Sequence, residues 1–320
     1  VLTWDDFDEL SQLIPLLARV YPNGEADVNR FAAAGGPAFV FGELIKAGLM
    51  HGDLVSVARG GMADYAREPQ LRDGQLVYLP GLERSADDEV VRGVDNPFES
   101  QGGLRLLRGN LGKSLIKLSA VKPQYRTIEA PAVVVDAPQV LNKLHAAGML
   151  PQDFVAVVRY QGPRANGMPE LHSLAPLLGL LQNQGRRVAL VTDGRLSGAS
   201  GKIPAAIHVT PEAARGGPLG KVREGDMIRL DGEAGTLEVL VDAAEWAART
   251  LAPNTAPAAN DMGRNLFAIN RRVVGPADQG AISISCGPAA ADGGPWDYDA
   301  EYELGHDAAA AAAPHEAKDA

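Results

Sequence analysis

Across 320 residues the chain has a single cysteine, Cys286 in GAISISCGP, so neither a disulfide framework nor a cysteine-only metal site can form within it. A lone cysteine reads first as a small buried hydrophobe. No apolar run approaches the roughly 20 residues that a bilayer span requires. No basic-then-apolar leader precedes the first helical pattern, so a soluble, cytoplasmic protein without a membrane partner is expected. Basic excess is missing as well: the net charge is -10, which argues against nucleic acid as a partner and leaves room for a small anion only where cations cluster locally. The first residue is Val1 rather than Met, and a piece of a longer protein is expected.

What is present is a globular chain, 46% hydrophobic, with a length that suggests two domains. Thr3 is placed to cap a helix over TWDDFDELSQLIPLLARVYP, whose Asp5, Asp6 and Asp8 suit a helix start and whose Phe7, Leu10, Ile14 and Leu17 recur at core spacing. A second helix is expected from about Pro37 to Leu49, stopping at Gly48. Residues 60–103 break every periodic pattern and read as a surface connection. After them come β-rich runs in LRLLRGNLGKSLIKLSAV and IEAPAVVVDA, a helix in VLNKLHAAGML and a buried strand in DFVAVVRY.

Two strand, loop, helix units follow. FVAVVRY runs through QGPRANGMPE into LHSLAPLLGLL, and RRVALVT runs through DGRLSGASGK into IPAAIHVTPEAA, for which a helix is expected. In such units functional groups gather on the loops after the strands. GDMIRLDGEAGTLEVLVDA is expected to form a hairpin. The second domain is therefore mixed, with enough short strands for a barrel or a sandwich flanked by helices. The low-complexity tail, residues 288–320, is expected to have little fixed structure.

The most loaded stretch is VTDGRLSGASGK, which crowds Asp193, Arg195, Ser197, Ser200 and Lys202 among glycines. A solvated turn explains the glycines and serines; Arg and Lys suggest an anion site. Standard motifs fail. A phosphate-cradling loop would need Gly at Leu196 and Ser or Thr at Ile203, and a hydrolase elbow would need Gly at Arg195 and Ala199. Ser114 and Lys117 fit S-x-x-K by letter alone, without companion elements. His172 and His208 read as packing or hydrogen-bonding residues before they read as catalytic ones.

QGPRANGMPELHSLAPLLG and VTDGRLSGASGKIPAAIHVTPEAARGGPLGKVREGDMIRLDG, with YPNGEADVNRFAAAGG and GNLGKSLIKLSAV, resemble the family of dihydroxy-acid and phosphogluconate dehydratases. The likeness covers most of the chain except the tail, and GASGK and ANGMPELH point to the phosphogluconate branch. It implies an α/β fold: the end of an N-terminal α/β domain in residues 1–103, then a C-terminal mixed β-barrel-like domain flanked by helices in 104–287. It also implies dehydration of 6-phospho-D-gluconate to 2-dehydro-3-deoxy-6-phosphogluconate by a complete enzyme that is a homodimer carrying magnesium and an iron-sulfur cluster, 4Fe-4S rather than 2Fe-2S. The cluster cysteines of the family find no match here.

Residue by residue, the resemblance makes Ser197 the base, in alkoxide form, and Glu170 a magnesium ligand. Lys202, Arg195, Ser200 and Asn166 become candidates for binding the substrate, Lys202 for its phosphate or carboxylate. The chain is then expected to be inactive alone. A non-catalytic module binding a sugar acid or a partner through the same loops is the alternative; a sugar kinase or isomerase is disfavoured by the failed phosphate loop.

Overall fold

The structure is a computed structural model that describes residues 2–57, 60–197, 201–254 and 262–283. Helix α1 (Trp4–Leu13) starts at a reciprocal cap: the Thr3 backbone N–H donates to Asp6 Oδ2 at 2.6 Å, and Asp6 N–H approaches Thr3 Oγ1 at 3.5 Å. It ends ahead of Pro15. The expected core role of Phe7 and Leu10 does not hold, since they are 50% and 53% exposed and α1 buries no residue. The helix docks by another face. Trp4, Asp8 and Ser11 share one stripe at helical spacing. Asp8 Oδ1 accepts from Leu106 N at 2.8 Å, Ser11 Oγ accepts from Leu104 N at 3.0 Å, and the Trp4 ring lies 6.2 Å from that of His208.

Helices α2 (Val28–Ala33) and α3 (Gly36–Lys46) close a small core around Ala34, Phe39, Val90 and Val91. The chain leaves α3 through Gly48 at φ +71°, as the sequence predicts. Residues 60–103 are more structured than expected, because β1 (Arg67–Arg72) and β2 (Gln75–Pro80) form an antiparallel hairpin there. Its Asp73-Gly74 turn has φ of +50° and +76°, the left-handed pair that a two-residue hairpin demands. Arg67, Glu68 and Arg72 hid it by breaking the apolar alternation.

Eight strands then close a barrel: β3 (Leu104–Gly109), β4 (Gly112–Lys117), β5 (Thr127–Val135), β6 (Phe154–Val158), β7 (Val188–Thr192), β8 (Ala205–Thr210), β9 (Met227–Asp231) and β10 (Thr236–Val239). Their order round the barrel is β10-β3-β4-β8-β7-β6-β5-β9, with β5 to β8 mutually parallel. Helices α4 (Pro138–Ala146), α5 (Pro163–Asn166) and α6 (Ala175–Asn183) lie in the connections between parallel strands, and α7 (Ala243–Ala248), α8 (Met262–Leu266) and α9 (Ala268–Val273) follow the barrel. This is the mixed, helix-flanked barrel that the sequence implied. Alternation sorts the parallel strands: Val155, Val157, Ala189 and Val191 fill the barrel, while Phe154, Ala156, Val158 and Leu190 pack outward with Leu141, Leu174, Leu178 and Leu181. Burial on both faces explains why FVAVV and VALVT are unbroken apolar runs.

One expected helix is a strand. IPAAIHVTPEAA supplies β8, because its β-branched Ile207, Val209 and Thr210 favour a pleated surface and Pro204 and Pro211 bracket the run. The crossover from β7 to parallel β8 is therefore confined to the short stretch between Thr192 and Ala205. His208, at φ +59°, marks a bulge: Ala206 and Val209 both face the barrel, and the register against β4 shifts between Lys113 and Leu115. Fully buried Ser114 donates its hydroxyl to the Ile207 carbonyl at 2.9 Å, which gives the serine of S-x-x-K a structural task.

The barrel closes weakly on one side. Parallel β10 and β3 share only the pair Thr236 and Arg108. Asn110 extends the seam with its side chain, donating Nδ2–H to Val239 O and accepting from Val239 N, both at 2.8 Å. Among the described residues no helix is long and apolar enough to cross a membrane. Cys286 and the tail lie outside the described residues.

Candidate active site

The loops after β6, β7 and β8 meet at one end of the parallel strands, and a buried carboxylate ties them together. Asp193, the first residue after β7, accepts from Gln161 N at 2.8 Å through Oδ1 and from Tyr160 N at 3.2 Å and Ala213 N at 3.0 Å through Oδ2. Burial pushes its carboxyl up to about 6, against the pull of these donors and with the charge of Glu212 adding to the rise. Tyr160 sits at φ +60°, held there by Asp193 and by its hydroxyl bond to the Ala252 carbonyl. Gly194 is needed for close approach, since a Cβ there would lie 2.7 Å from that of Gln161.

Glu212, after β8, does the same for α5. It accepts from Arg164 N at 2.9 Å and Ala165 N at 3.1 Å, and Arg215 lies 3.5 Å from it with both side chains almost fully buried. Beyond α5, Gly167 and Met168 turn the chain at φ +70° and +51° and bring Glu170 beside Arg195 in a parallel bridge. Glu170 Oε1 then accepts from the Ser197 backbone N–H at 2.8 Å, its Oε2 faces Arg195 Nη1 at 3.3 Å, and Arg195 Nε donates to the Met168 carbonyl at 2.8 Å. Three predicted residues from two loops are thereby joined.

Asn166 is oriented by a chain of side chains. Its Nδ2–H donates to Gln161 Oε1 at 2.9 Å, Gln161 Nε2 donates to the Asp136 carbonyl at 2.9 Å, and Arg159 Nε donates to Asp136 Oδ1 at 2.6 Å. Asn166 and Glu170 border one cleft of about 320 Å³, with Tyr160, Ser173 and Asn254 on its walls. Lys202 does not join them. Its Nζ lies 4.0 Å from Glu25 Oε1 and 5.6 Å from the Tyr21 ring centroid, on the flank made by the N-terminal segment. Ser200 falls outside the described residues. His172 is exposed, and His208 packs on Trp4, its imidazole held below the usual value by burial and then by the charge of Arg195.

The sequence did not disclose the frame of Asp193, Glu212 and Gln161. Its one signal is an acidic residue at the end of a strand run, directly after VALVT at Asp193 and one proline past HVT at Glu212. Nor do the described residues make a self-contained metal site: no three of His, Cys, Asp or Glu converge, no cysteine is among them, and both oxygens of Glu170 are engaged by an N–H and a guanidinium. Neither magnesium nor an iron-sulfur cluster fits these residues alone, and no chemical step is assigned through either.

Comparison with known families agrees with this architecture. Residues 1–65 match the model for the dihydroxy-acid/6-phosphogluconate dehydratase N-terminal domain, and residues 89–281 match that for the C-terminal domain. The chain belongs to the dihydroxy-acid/6-phosphogluconate dehydratase family. Similar family members include the phosphogluconate dehydratase of Pseudomonas aeruginosa, 54% identical over 284 residues, which are 89% of this chain and 47% of that protein. The phosphogluconate dehydratase of Escherichia coli K12 is 50% identical over 285 residues, again 89% and 47% of the two chains. A dihydroxy-acid dehydratase of Metallosphaera sedula is 33% identical over 286 residues, 88% and 48%. The chain spans about half the length of the curated relatives it matches.

Proposed function

We propose that the loops after β6 and β7 form the proton-transfer end of a hydro-lyase that dehydrates 6-phospho-D-gluconate to 2-dehydro-3-deoxy-6-phosphogluconate. The observation that carries this reading is the contact of Glu170, a residue of the cleft wall, with Ser197 N–H at 2.8 Å and with the Arg195 guanidinium at 3.3 Å, which ties the serine and a cation to that wall. The relatives named phosphogluconate dehydratase support the choice of substrate.

Loss of water from a 2,3-dihydroxy acid needs a base for the C2 proton and a cation for the charge that grows on the carboxylate as that proton leaves. Ser197, as the alkoxide, takes the C2 proton at Oγ. The C3–O bond breaks as the C2–C3 double bond forms, and the proton passes to the departing hydroxide, which leaves as water and restores the alkoxide. Arg195, steered by Glu170 and the Met168 carbonyl, faces the developing charge. Asn166 donates or accepts at a substrate hydroxyl, its amide already turned by Gln161.

The test is Ser197→Ala in the full-length dehydratase carrying these loops. Turnover is expected to fall at least about 100-fold, the scale of a general base, with the fold intact by circular dichroism. Near-normal turnover would remove the serine from the chemistry.

A further inference from the structure

We propose that the cavity between α5 and α9 is a second anion subsite, which takes the phosphate of a phosphorylated sugar acid, with Arg271 as its cation. The inference rests on the dehydratase reading and extends it to the far end of the substrate. This cavity, of about 380 Å³, is bordered by Asn166, Gly167 and Met168 on the α5 side and by Phe267, Asn270 and Arg271 on the α9 side. Asn166 also borders the cleft of Glu170, so the two cavities share a wall. A ligand passing over Asn166 would reach from the one to the other.

Charge decides between the candidates for the phosphate. Lys202, the choice from sequence, borders neither cavity and lies by Tyr21 and Glu25. Among the described residues, Arg271 is the only Lys or Arg bordering either one. It is half-buried, where a guanidinium pairs more strongly with an anion than it would in bulk water, and its planar fork of donors matches two phosphate oxygens at once. Asn270 and Ser283 add neutral donors to the same lining.

The cavity is also built on a fixed frame. Arg215 donates to the carbonyl of Val274, just past the end of α9, and stands 3.5 Å from Glu212, the residue that caps α5. One buried ion pair therefore sets both walls. A subsite needs such a fixed spacing if it is to select a substrate by length.

The experiment is calorimetric titration of the full chain with 6-phosphogluconate, gluconate and inorganic phosphate, for the unaltered protein and for Arg271→Ala, Arg271→Lys, Lys202→Ala and Arg272→Ala. Arg271→Ala is expected to weaken 6-phosphogluconate at least about tenfold and gluconate less than about twofold. Arg271→Lys should recover part of the loss, and Arg272→Ala, an exposed neighbour on the same helix, should change nothing. If Arg271→Ala does not fold, Arg271→Lys carries the comparison, with a loss confined to 6-phosphogluconate expected. Equal losses for both acids, or a phosphate-specific loss in Lys202→Ala alone, overturn the assignment. So does equal binding of the two acids by the unaltered chain, an outcome that leaves the dehydratase reading to the Ser197→Ala assay. If neither acid binds the unaltered chain, the subsite falls with it.

Discussion

Asp193 shows how much one residue can be asked to hold. Its two oxygens take backbone donors from the loops after β6 and β8, and the residue itself begins the loop after β7. The charge that does this is costly. Its folded value lies above the 3.8 of an unstrained aspartate, at about 6, so the folded chain binds this proton more tightly than the unfolded one. The group's contribution is fully present below 3.8 and is lost as pH rises through about 6, amounting to about 3 kcal/mol across that window. Urea unfolding of the native chain and of Asp193→Asn between about pH 4 and 7.5 checks this: native stability should fall relative to the variant as pH rises. A pH-independent gap would mean that Asp193 is not buried as a titrating group. The variant should still loosen the loops, because an amide nitrogen would face one of the three N–H donors.

At the scale of elements, α1 inverts the usual arrangement, docking by a polar stripe and leaving Phe7 and Leu10 half exposed. Replacing Asp8 or Ser11 by Ala should each cost about 1–3 kcal/mol in denaturant unfolding, since each leaves a β3 N–H without its acceptor. Leu10→Ser should stay within about 0.5 kcal/mol. The reverse ranking would show that the apolar face carries the docking after all. The helix itself was legible in its Thr3 cap and acidic first turn; its orientation was not, because amphipathic spacing names a face without naming what covers it. The same gap separates other elements. FVAVV and VALVT announced buried strands, and the β9-β10 hairpin announced itself through Asp231 and Gly235. The β8 run did not, since short apolar segments carry no period that tells strand from helix. At the site, Glu170, Arg195 and Ser197 could be named from resemblance, while Asp193 and Glu212 act through backbone groups far away in sequence that no local pattern reveals.

Seen whole, the barrel is a parallel half with deep two-sided burial, joined through antiparallel strands to a seam of thin pairing. Along β3 the seam-side N–H groups go in turn to Ser11, to Asp8 and to the Gly235 carbonyl, and the Asn110 amide supplies the next link to Val239. Asn110→Ala is expected to cost about 1–3 kcal/mol in urea unfolding, with the strands of the parallel half unaffected in their circular dichroism. A neutral result would mean that the single Thr236 and Arg108 pair suffices. The seam also has a bearing on the order of events in time. Its links join residues 98 and 129 apart in sequence, so the loop-closure entropy must be met before any of them forms. Closure is therefore expected to come last in folding, and opening first in the native state. Amide hydrogen exchange should show Leu104 and Leu106, held by side chains of α1, exchanging with solvent well ahead of the β6 and β7 amides, whose opening requires the whole core to come apart. Equal protection at both places would mean that the barrel opens only as a unit.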